Sequence, residues 1–217
     1  MIQEKLDTLN ERGWIELENY SDESSLLKAA NEFGEVVKHS NRQEIFSLHP
    51  KENKDAMGGT FSNLHGLNEF PLHTDTAFLN FPVRYMMLNA EKESSCGTKL
   101  LATSQLFRQL SEAELKIARR SIFLLKTKNR SCYLPLFFKH KGQEGFRYDS
   151  TCMTPFNNHA KDFVLIMKNA FNRVETSVLK WNQHKTILID NWKTLHGREA
   201  VRNGINRELK RIYINTL

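Results

Sequence analysis

Residues 186–198 read TILIDNWKTLHGR, and this stretch decides how the rest of the chain is interpreted. Its first four residues form an apolar and β-branched run that is typical of a buried strand. A polar turn follows at Asn191 and Trp192, and His196 comes shortly after it. Gly197 allows the backbone to turn tightly beside that histidine. We therefore expect a buried strand that leads to a chemically useful imidazole.

A second motif, far upstream, supplies the partners of His196. Residues 72–78 read LHTDTAF and are predicted to form a strand. Because alternate residues of a strand point to the same face, His73 and Asp75 can reach one metal ion together. Two imidazoles and one carboxylate bind non-haem Fe(II) on one face and leave the opposite positions open. His73, Asp75 and His196 are thus the candidate catalytic residues and metal ligands.

The final predicted strand, residues 207–214, carries two arginines. By the two-residue period, Arg207 and Arg211 share one face with Leu209 and Tyr213. Arginines on an interior face are costly to bury without anionic partners. A dicarboxylate co-substrate would be such a partner, since a guanidinium binds carboxylates with two parallel hydrogen bonds. The alternative is that both arginines form structural salt bridges or point to solvent.

The remaining pattern favours a mainly β protein with flanking helices, an α+β fold. Strands and helices do not alternate strictly, which argues against a Rossmann-like sheet and for a β-sandwich or barrel with helices outside. One helix is predicted after Asp22 and another after the capping box of Ser111 and Glu114. A third is predicted over residues 158–181, where apolar residues recur at helical spacing.

Length and composition indicate an ordinary globular protein. At 217 residues the chain is most simply one domain, residues 1–217. Without a membrane-length apolar run or a signal-peptide pattern, we expect no membrane contact and a cytoplasmic location. Three widely spaced cysteines suggest neither a disulfide framework nor a zinc site. The net charge of +6 favours anionic partners, but the basic residues are scattered, and no pattern specifies an oligomeric state.

Three motifs together resemble a known family. Residues 72–75, 189–198 and 207–211 are similar to motifs of the taurine dioxygenase / clavaminate synthase-like branch of the Fe(II)/2-oxoglutarate oxygenases. The resemblance covers residues 59–213. It implies a double-stranded β-helix, or jelly roll. It also implies a dioxygenase that uses Fe(II), 2-oxoglutarate and O2, hydroxylates or desaturates a small-molecule substrate, and releases succinate and CO2.

The resemblance also assigns roles to individual residues. It implies that His73, Asp75 and His196 bind Fe(II). Arg207 matches the arginine that pairs with the distal carboxylate of 2-oxoglutarate. Arg211 matches a second arginine, which lies near the metal-chelating end of 2-oxoglutarate and, in some members, near the substrate.

One position departs from the family pattern. Where the family often has Gly-Gly-x-Thr, with the threonine on 2-oxoglutarate, residues 96–99 of this chain read CGTK. Either Lys99 pairs with the co-substrate carboxylate beside Arg207, or the loop slips so that Thr98 makes the contact.

The substrate is expected to bind at the entrance to the same site. Residues 49–67 contain a proline and three glycines without periodicity and are predicted to be a loop. Residues 49–70 are therefore a candidate active-site lid. The candidate substrate contacts are Asn68, Glu69, Phe70, Arg147 and Arg211, with Phe61 and Phe78 nearby. Packing, turn formation or a surface ion pair is the alternative for each. By family habit we expect a small polar, amino-acid-like metabolite.

Three other functions remain open from the sequence. A nucleic-acid oxidative demethylase would use the same metal ligands, but no basic stripe with interleaved aromatics is visible, so nucleic acid is a less favoured partner. A non-catalytic basic binding module would make His73 and His196 ordinary core residues. A zinc hydrolase would suit two histidines and an aspartate but would leave Arg207 and Arg211 unexplained.

Overall fold

The computed structural model describes residues 2–18, 20–39, 41–127, 130–182, 184–202 and 207–215. The helices in these ranges are α1 (Ile2–Arg12), α2 (Glu23–Asn31), α3 (Phe61–His65), α4 (Thr103–Phe107), α5 (Glu112–Arg120) and α6 (Asn158–Phe171), with a 3-10 turn at Asn53–Asp55. The strands are β1 (Trp14–Leu17), β2 (Glu35–Val37), β3 (Ile45–Leu48), β4 (Phe70–His73), β5 (Tyr85–Ala90), β6 (Ser94–Ala102), β7 (Ile122–Thr127), β8 (Arg130–Pro135), β9 (Phe137–His140), β10 (Gln143–Phe146), β11 (Met153–Pro155), β12 (Ser177–Trp181), β13 (Lys185–Asp190), β14 (Thr194–Arg198) and β15 (Leu209–Asn215).

Most of these strands form two antiparallel sheets. Within the described ranges, the larger sheet has six strands in the order β1-β13-β5-β15-β2, with β3 also paired to β15. The smaller sheet has four strands in the order β12-β6-β14-β4. Strands β7, β8 and β11 form a three-stranded sheet, and β9 pairs with β10.

The two large sheets face each other across a buried core, and helices cover their far sides. Leu88 and Ile189 of the six-stranded sheet share one core cluster with Leu100 and Trp181 of the four-stranded sheet. Residues of α1 and α2 pack on the other side of the six-stranded sheet. Residues of α5 and α6 share a cluster with Leu101 and Leu195, which lie on the other side of the four-stranded sheet. The prediction of a mostly β chain with flanking helices is confirmed.

None of the helices in the described ranges has the length and apolar character needed to cross a membrane. The cysteines Cys96, Cys132 and Cys152 are free thiols.

The helix predicted over residues 158–181 is wrong in its second half. Helix α6 ends at Phe171, and residues 177–181 form β12, which pairs with β6. The apolar positions Val174, Val178 and Trp181 continue the helical spacing, although the backbone there is not helical. Trp181 instead fills the core between the two large sheets. Pairing with β6 therefore overrides the local periodicity.

The loop predicted over residues 49–67 contains two short helical segments. The prediction is wrong for the 3-10 turn and for α3. The Thr60 side chain accepts a hydrogen bond from the Asn63 backbone and caps the start of α3. Gly66, with a φ of 53°, caps the end of the helix. A helix of five residues is too short to show periodicity.

The final strand begins later than predicted but keeps the predicted alternation. Strand β15 starts at Leu209, so Arg207 precedes it. Leu209 and Tyr213 belong to the core between the sheets, whereas Ile212 and Ile214 belong to the cluster on the other side. The alternate positions of β15 therefore serve two different cores.

A buried ion pair fixes the turn after β13. Arg84 Nη2 lies 2.7 Å from Asp190 Oδ2, and the side chains are 3% and 0% exposed. Asp190 Oδ1 accepts a hydrogen bond from Trp192 N, and the Arg84 guanidinium lies 4.5 Å from the centroid of the Trp192 ring. The pair thereby links β13 to the residue that precedes β5.

Replacement of Arg84 by methionine is expected to lower the free energy of unfolding by about 3–5 kcal/mol, because it leaves the Asp190 carboxylate buried without a cation. Urea denaturation followed by circular dichroism measures the loss. The matched control is the double variant Arg84→Met/Asp190→Asn, which removes the charge but keeps an oxygen for Trp192. The double variant should be more stable than the single one, and equal or lower stability would contradict this account.

Candidate active site

Three potential metal ligands meet beside the four-stranded sheet. His73 is the last residue of β4 and lies opposite His196 in β14. Asp75 follows in a turn. One ligand atom from each residue lies within 4.8 Å of the others, and all three residues are buried. The structure therefore brings together the three residues that the sequence singled out.

Asp75 reaches the histidines from a turn rather than from a strand. Strand β4 ends at His73, so the strand predicted over residues 72–78 is wrong beyond that point. Thr76 has a φ of 56°, a left-handed conformation that an extended strand excludes. The period of two in the sequence therefore predicts that His73 and Asp75 lie together, as they do, but from an incorrect local structure.

The side chain of Asn191 holds this turn in place. Its Oδ1 accepts a hydrogen bond from Asp75 N at 2.8 Å, and its Nδ2 donates to Asp75 O at 3.0 Å and Val83 O at 2.9 Å. Both N–H groups and one lone pair of the amide are thus used. Asn191 is completely buried, which removes competition from water.

Both imidazoles turn their Nε2 atoms towards one carboxylate oxygen. His73 Nε2 and His196 Nε2 each lie 3.4 Å from Asp75 Oδ1. His73 Nδ1 lies 2.9 Å from Pro71 O, the contact by which a carbonyl commonly orients a metal-binding histidine. His196 Nδ1 is buried and has no hydrogen-bond partner in the part of the chain that the structure describes. Two nitrogens and one oxygen that converge on a buried point fit a divalent transition metal such as Fe(II).

Electrostatics favours an ionised carboxylate between the two rings. Burial alone would raise the pKa of Asp75, but Arg211 and the two histidines hold that pKa well below its ordinary value. Burial and the neighbouring His73 lower the pKa of His196. Burial also opposes protonation of His73, but contact with Asp75 outweighs it and raises the pKa of His73. Metal binding therefore competes with protonation of His73.

The second oxygen of Asp75 is held from β15. Arg211 Nη1 donates to Asp75 Oδ2 at 2.9 Å, and the Tyr213 hydroxyl donates to the same oxygen at 2.7 Å. Burial raises the pKa of Tyr213 well above its ordinary value, so the phenol remains a donor. Arg211, expected near the co-substrate and the substrate, is thus in contact with Asp75, a candidate metal ligand.

Arg207 lies between the two large sheets, close to Thr98. It is buried; its Nε donates to Cys96 O at 3.2 Å and its Nη2 to Thr98 Oγ1 at 3.1 Å. Trp181 Nε1 donates to the same hydroxyl at 3.1 Å. Burial lowers the pKa of Arg207 to about 10. The guanidinium is therefore a desolvated cation whose partners here are neutral oxygens.

Thr98 and Lys99 point to opposite faces of β6. Leu100, two residues after Thr98, lies in the core between the sheets, whereas Leu101, two residues after Lys99, lies in the outer cluster. Lys99 Nζ pairs with Glu69 Oε1 at 2.6 Å. Of the two sequence alternatives, the structure brings Thr98 to Arg207 and turns Lys99 away from it.

The predicted substrate contacts at the end of the lid segment are engaged with β14 and β6. Arg198 Nη2 donates to Asn68 O at 2.7 Å, and the guanidinium lies 3.6 Å from the centroid of the Phe70 ring. Glu69 is the partner of Lys99. These contacts anchor the chain just before His73, the candidate metal ligand of β4.

Phe61, at the start of α3, contacts the candidate metal ligand His73 directly. Its ring stacks on the His73 ring with 3.9 Å between centroids and 29° between planes. It also lies 5.6 Å from the Phe70 ring. Phe78 is instead partly buried against the outer cluster.

Arg147 holds the loop that follows the Asp75 turn. Its guanidinium donates to the carbonyls of Ala77 and Asn80, at 3.0 and 2.7 Å, and also to the carbonyl of Leu79. Burial lowers the pKa of Arg147 to about 10. These contacts account for a buried arginine without a substrate, which corresponds to the packing alternative.

Sequence reasoning missed three residues that shape the site. The sequence places Asn191 in a turn after a buried strand, but no local pattern indicates its hydrogen bonds to Asp75 and Val83. Tyr213 was noticed as a neighbour of Arg211 but not as a partner of Asp75. Arg198, two residues after His196, carried no signal that separated it from a surface arginine.

Solved structures with similar folds include several oxygenases. PvcB from Pseudomonas aeruginosa superposes with a TM-score of 0.74 at 18% identity, over 99% of this chain and 80% of PvcB. Asparagine oxygenase in complex with Fe(II), 2S,3S-3-hydroxyasparagine and succinate gives a TM-score of 0.79 at 15% identity, over 99% and 79%. The non-heme iron oxygenase OrfP, in complex with Fe and alpha-ketoglutaric acid, gives 0.72 at 16% identity, over 90% and 64%.

At these identities the similarity establishes a shared fold. No curated protein sequence matches the chain at a significant level. The family comparison is more specific, because residues 2–213 match the model of the family described as taurine catabolism dioxygenase TauD, TfdA. This match spans both motifs that carry the candidate metal ligands and extends into β15. The chain therefore belongs to the TauD/TfdA family of dioxygenases.

Proposed function

We propose that this protein is an Fe(II)- and 2-oxoglutarate-dependent dioxygenase that hydroxylates, or desaturates, a small polar, amino-acid-like metabolite. The observation that carries the proposal is the convergence of His73, Asp75 and His196 on a buried point, with the desolvated Arg207 on the same inner side of the fold. Family membership supports the reaction class. The two facing antiparallel sheets support a double-stranded β-helix as the underlying fold.

Different residues of the chain would bind the iron and the co-substrate in such a reaction. His73, Asp75 and His196 would hold Fe(II) on one face of its coordination sphere. With 2-oxoglutarate, the bound iron would supply O2 activation, by which one oxygen atom would enter a hydroxylated substrate and the other would enter succinate with release of CO2. Arg207 would bind the distal carboxylate of 2-oxoglutarate, with Thr98 beside it. Lys99 is the less favoured contact, because it is paired with Glu69.

The proposed substrate class rests on the fold relatives and on the lid segment. Asparagine oxygenase was solved with 3-hydroxyasparagine, and OrfP with (3S)-hydroxy-L-Arg. Residues 49–70 would act as a lid, since Phe61 reaches over His73 and residues 68–70 precede that ligand. Succinate release in the presence of asparagine, arginine and other amino acids tests the substrate class. Amide exchange that stays unchanged over residues 49–70 on addition of Mn(II) and N-oxalylglycine would count against the lid.

We also propose that the whole chain, residues 1–217, acts as one domain in the cytoplasm. The support is the family match over residues 2–213 and the three free cysteines, which suit a reducing compartment where ferrous iron persists.

Removal of one imidazole is expected to abolish the iron chelate. Under argon, wild-type protein with Fe(II) and 2-oxoglutarate should develop the visible charge-transfer band of the chelate, and His73→Ala should lose it because two ligands hold the ion poorly. His184→Ala, which removes an exposed histidine outside the cluster of candidate ligands, is the matched control. An undiminished band in His73→Ala, or no band in the wild type, would contradict the proposed function.

Loss of the Arg207 guanidinium is expected to weaken binding of 2-oxoglutarate far more than loss of Lys99. Because a buried guanidinium would bind a carboxylate in a desolvated site, Arg207→Met should cost about 2–5 kcal/mol of binding free energy. Lys99→Met, which breaks a partly exposed ion pair, should cost at most about 1 kcal/mol. Titration of the Mn(II)-loaded protein with 2-oxoglutarate measures both values. The reverse order would assign the carboxylate to Lys99.

A further inference from the structure

The two oxygens of Asp75 have different surroundings. Oδ1 faces the histidines, 3.4 Å from each Nε2. Oδ2 faces β15 and accepts hydrogen bonds from Arg211 and from the Tyr213 hydroxyl. Two donors at 2.9 and 2.7 Å use the two lone pairs of that oxygen. The carboxylate therefore presents one free oxygen and one engaged oxygen.

The two donors are themselves held in place. Arg211 and Tyr213 are alternate residues of β15, so they project from the same face of the strand. The His39 ring packs against the Tyr213 ring, with 4.5 Å between the two centroids. The Arg211 guanidinium lies 4.6 Å from the centroid of the Tyr213 ring. His39 Nε2 in turn lies 3.3 Å from the Arg211 carbonyl. Contacts on both the ring and the strand fix the direction of the phenol.

The number of oxygens that Asp75 gives to a metal decides how many positions remain. A carboxylate can bind a metal ion through one oxygen or through both. In an octahedral site with two imidazoles, one oxygen leaves three positions and two oxygens leave only two. A bidentate 2-oxoglutarate takes two positions, so the third, which O2 needs, exists only if Asp75 binds through a single oxygen. This step rests on the proposed function.

We propose that Tyr213, together with Arg211, is a positioning device that keeps Asp75 a single-oxygen ligand. Of the two donors, Tyr213 is the one that acts on Asp75 alone in the proposed site. It is 8% exposed, and in the described part of the chain its hydroxyl hydrogen-bonds to Asp75. The Arg211 side chain is 20% exposed, and its positive charge can pair with an anionic ligand as well as with Asp75. A neutral phenol holds Oδ2 without competing for such a ligand.

The test uses Co(II) alone, whose visible spectrum reports the number and geometry of its ligands. Tyr213→Phe removes the phenol oxygen and keeps the ring. We expect its Co(II) spectrum to differ from that of the wild type, because the released Oδ2 is free to turn towards the ion. The affinity for Co(II) should fall about tenfold, the usual scale for loss of a group that orients a ligand. Tyr85→Phe, a buried tyrosine in the cluster on the far side of the six-stranded sheet, is the control and should match the wild type.

The outcomes separate this inference from the proposed function. If wild-type protein fails to bind Co(II), both fail. If Tyr213→Phe binds Co(II) with the wild-type spectrum, the positioning role is overturned even where the affinity falls, and the metal centre stands. If Tyr213→Phe does not fold, Arg211→Met removes the other donor to Oδ2 and should change the spectrum in the same way. An unchanged spectrum in that variant also overturns the proposal.

Discussion

The hydrogen bonds of one buried amide, that of Asn191, hold together the part of the structure that carries the site. Through Asp75 and Val83, this side chain joins the turn after β13 to the turn after β4 and to the residues before β5. The pairing of β4 with β14 independently sets His73 against His196. The carboxylate is therefore positioned from its backbone, and the imidazoles are positioned by strand register. The two constraints come from different elements and meet at one point.

Four arginines are buried in the described part of the chain, and their partners show why burial alone does not indicate an anion site. Arg84 is neutralised by Asp190, whereas Arg147 and Arg198 hold backbone carbonyls of neighbouring loops. Arg207 has neutral partners as well, but it lies with Thr98 on the inner side of the fold. The same residue type thus serves as an ion-pair partner in Arg84, as a brace for loops in Arg147 and Arg198, and in Arg207 as a desolvated cation with neutral partners. Position relative to the two sheets separates these roles, and composition does not.

Much of this arrangement could be predicted from the sequence where a motif carries its own chemistry. His73, Asp75 and His196 were identified from residue type and order, and the alternation of Leu209 and Tyr213 against Ile212 and Ile214 from a period of two. Where a segment's state depends on a distant partner, the prediction was wrong. Residues 177–181 are predicted as helix but form a strand, because they pair with β6. Residues 74–76 are predicted as strand but form a turn, which Asn191 stabilises. The contact of Tyr213 with Asp75 joins residues 138 positions apart, which no local pattern encodes.

The bracing of the Asp75 turn has a thermodynamic consequence for metal loading. Asn191 fixes the turn on one side and Arg147 fixes the following loop on the other, both through bonds among protein groups. The position of the candidate ligand Asp75 is therefore held by bonds that do not involve an ion, and a bound ion would have little chain entropy left to remove there. In small zinc modules most of the metal's binding energy is consumed in folding the chain. At the proposed site that energy would be retained as affinity, and folding and metal occupancy would be separate equilibria.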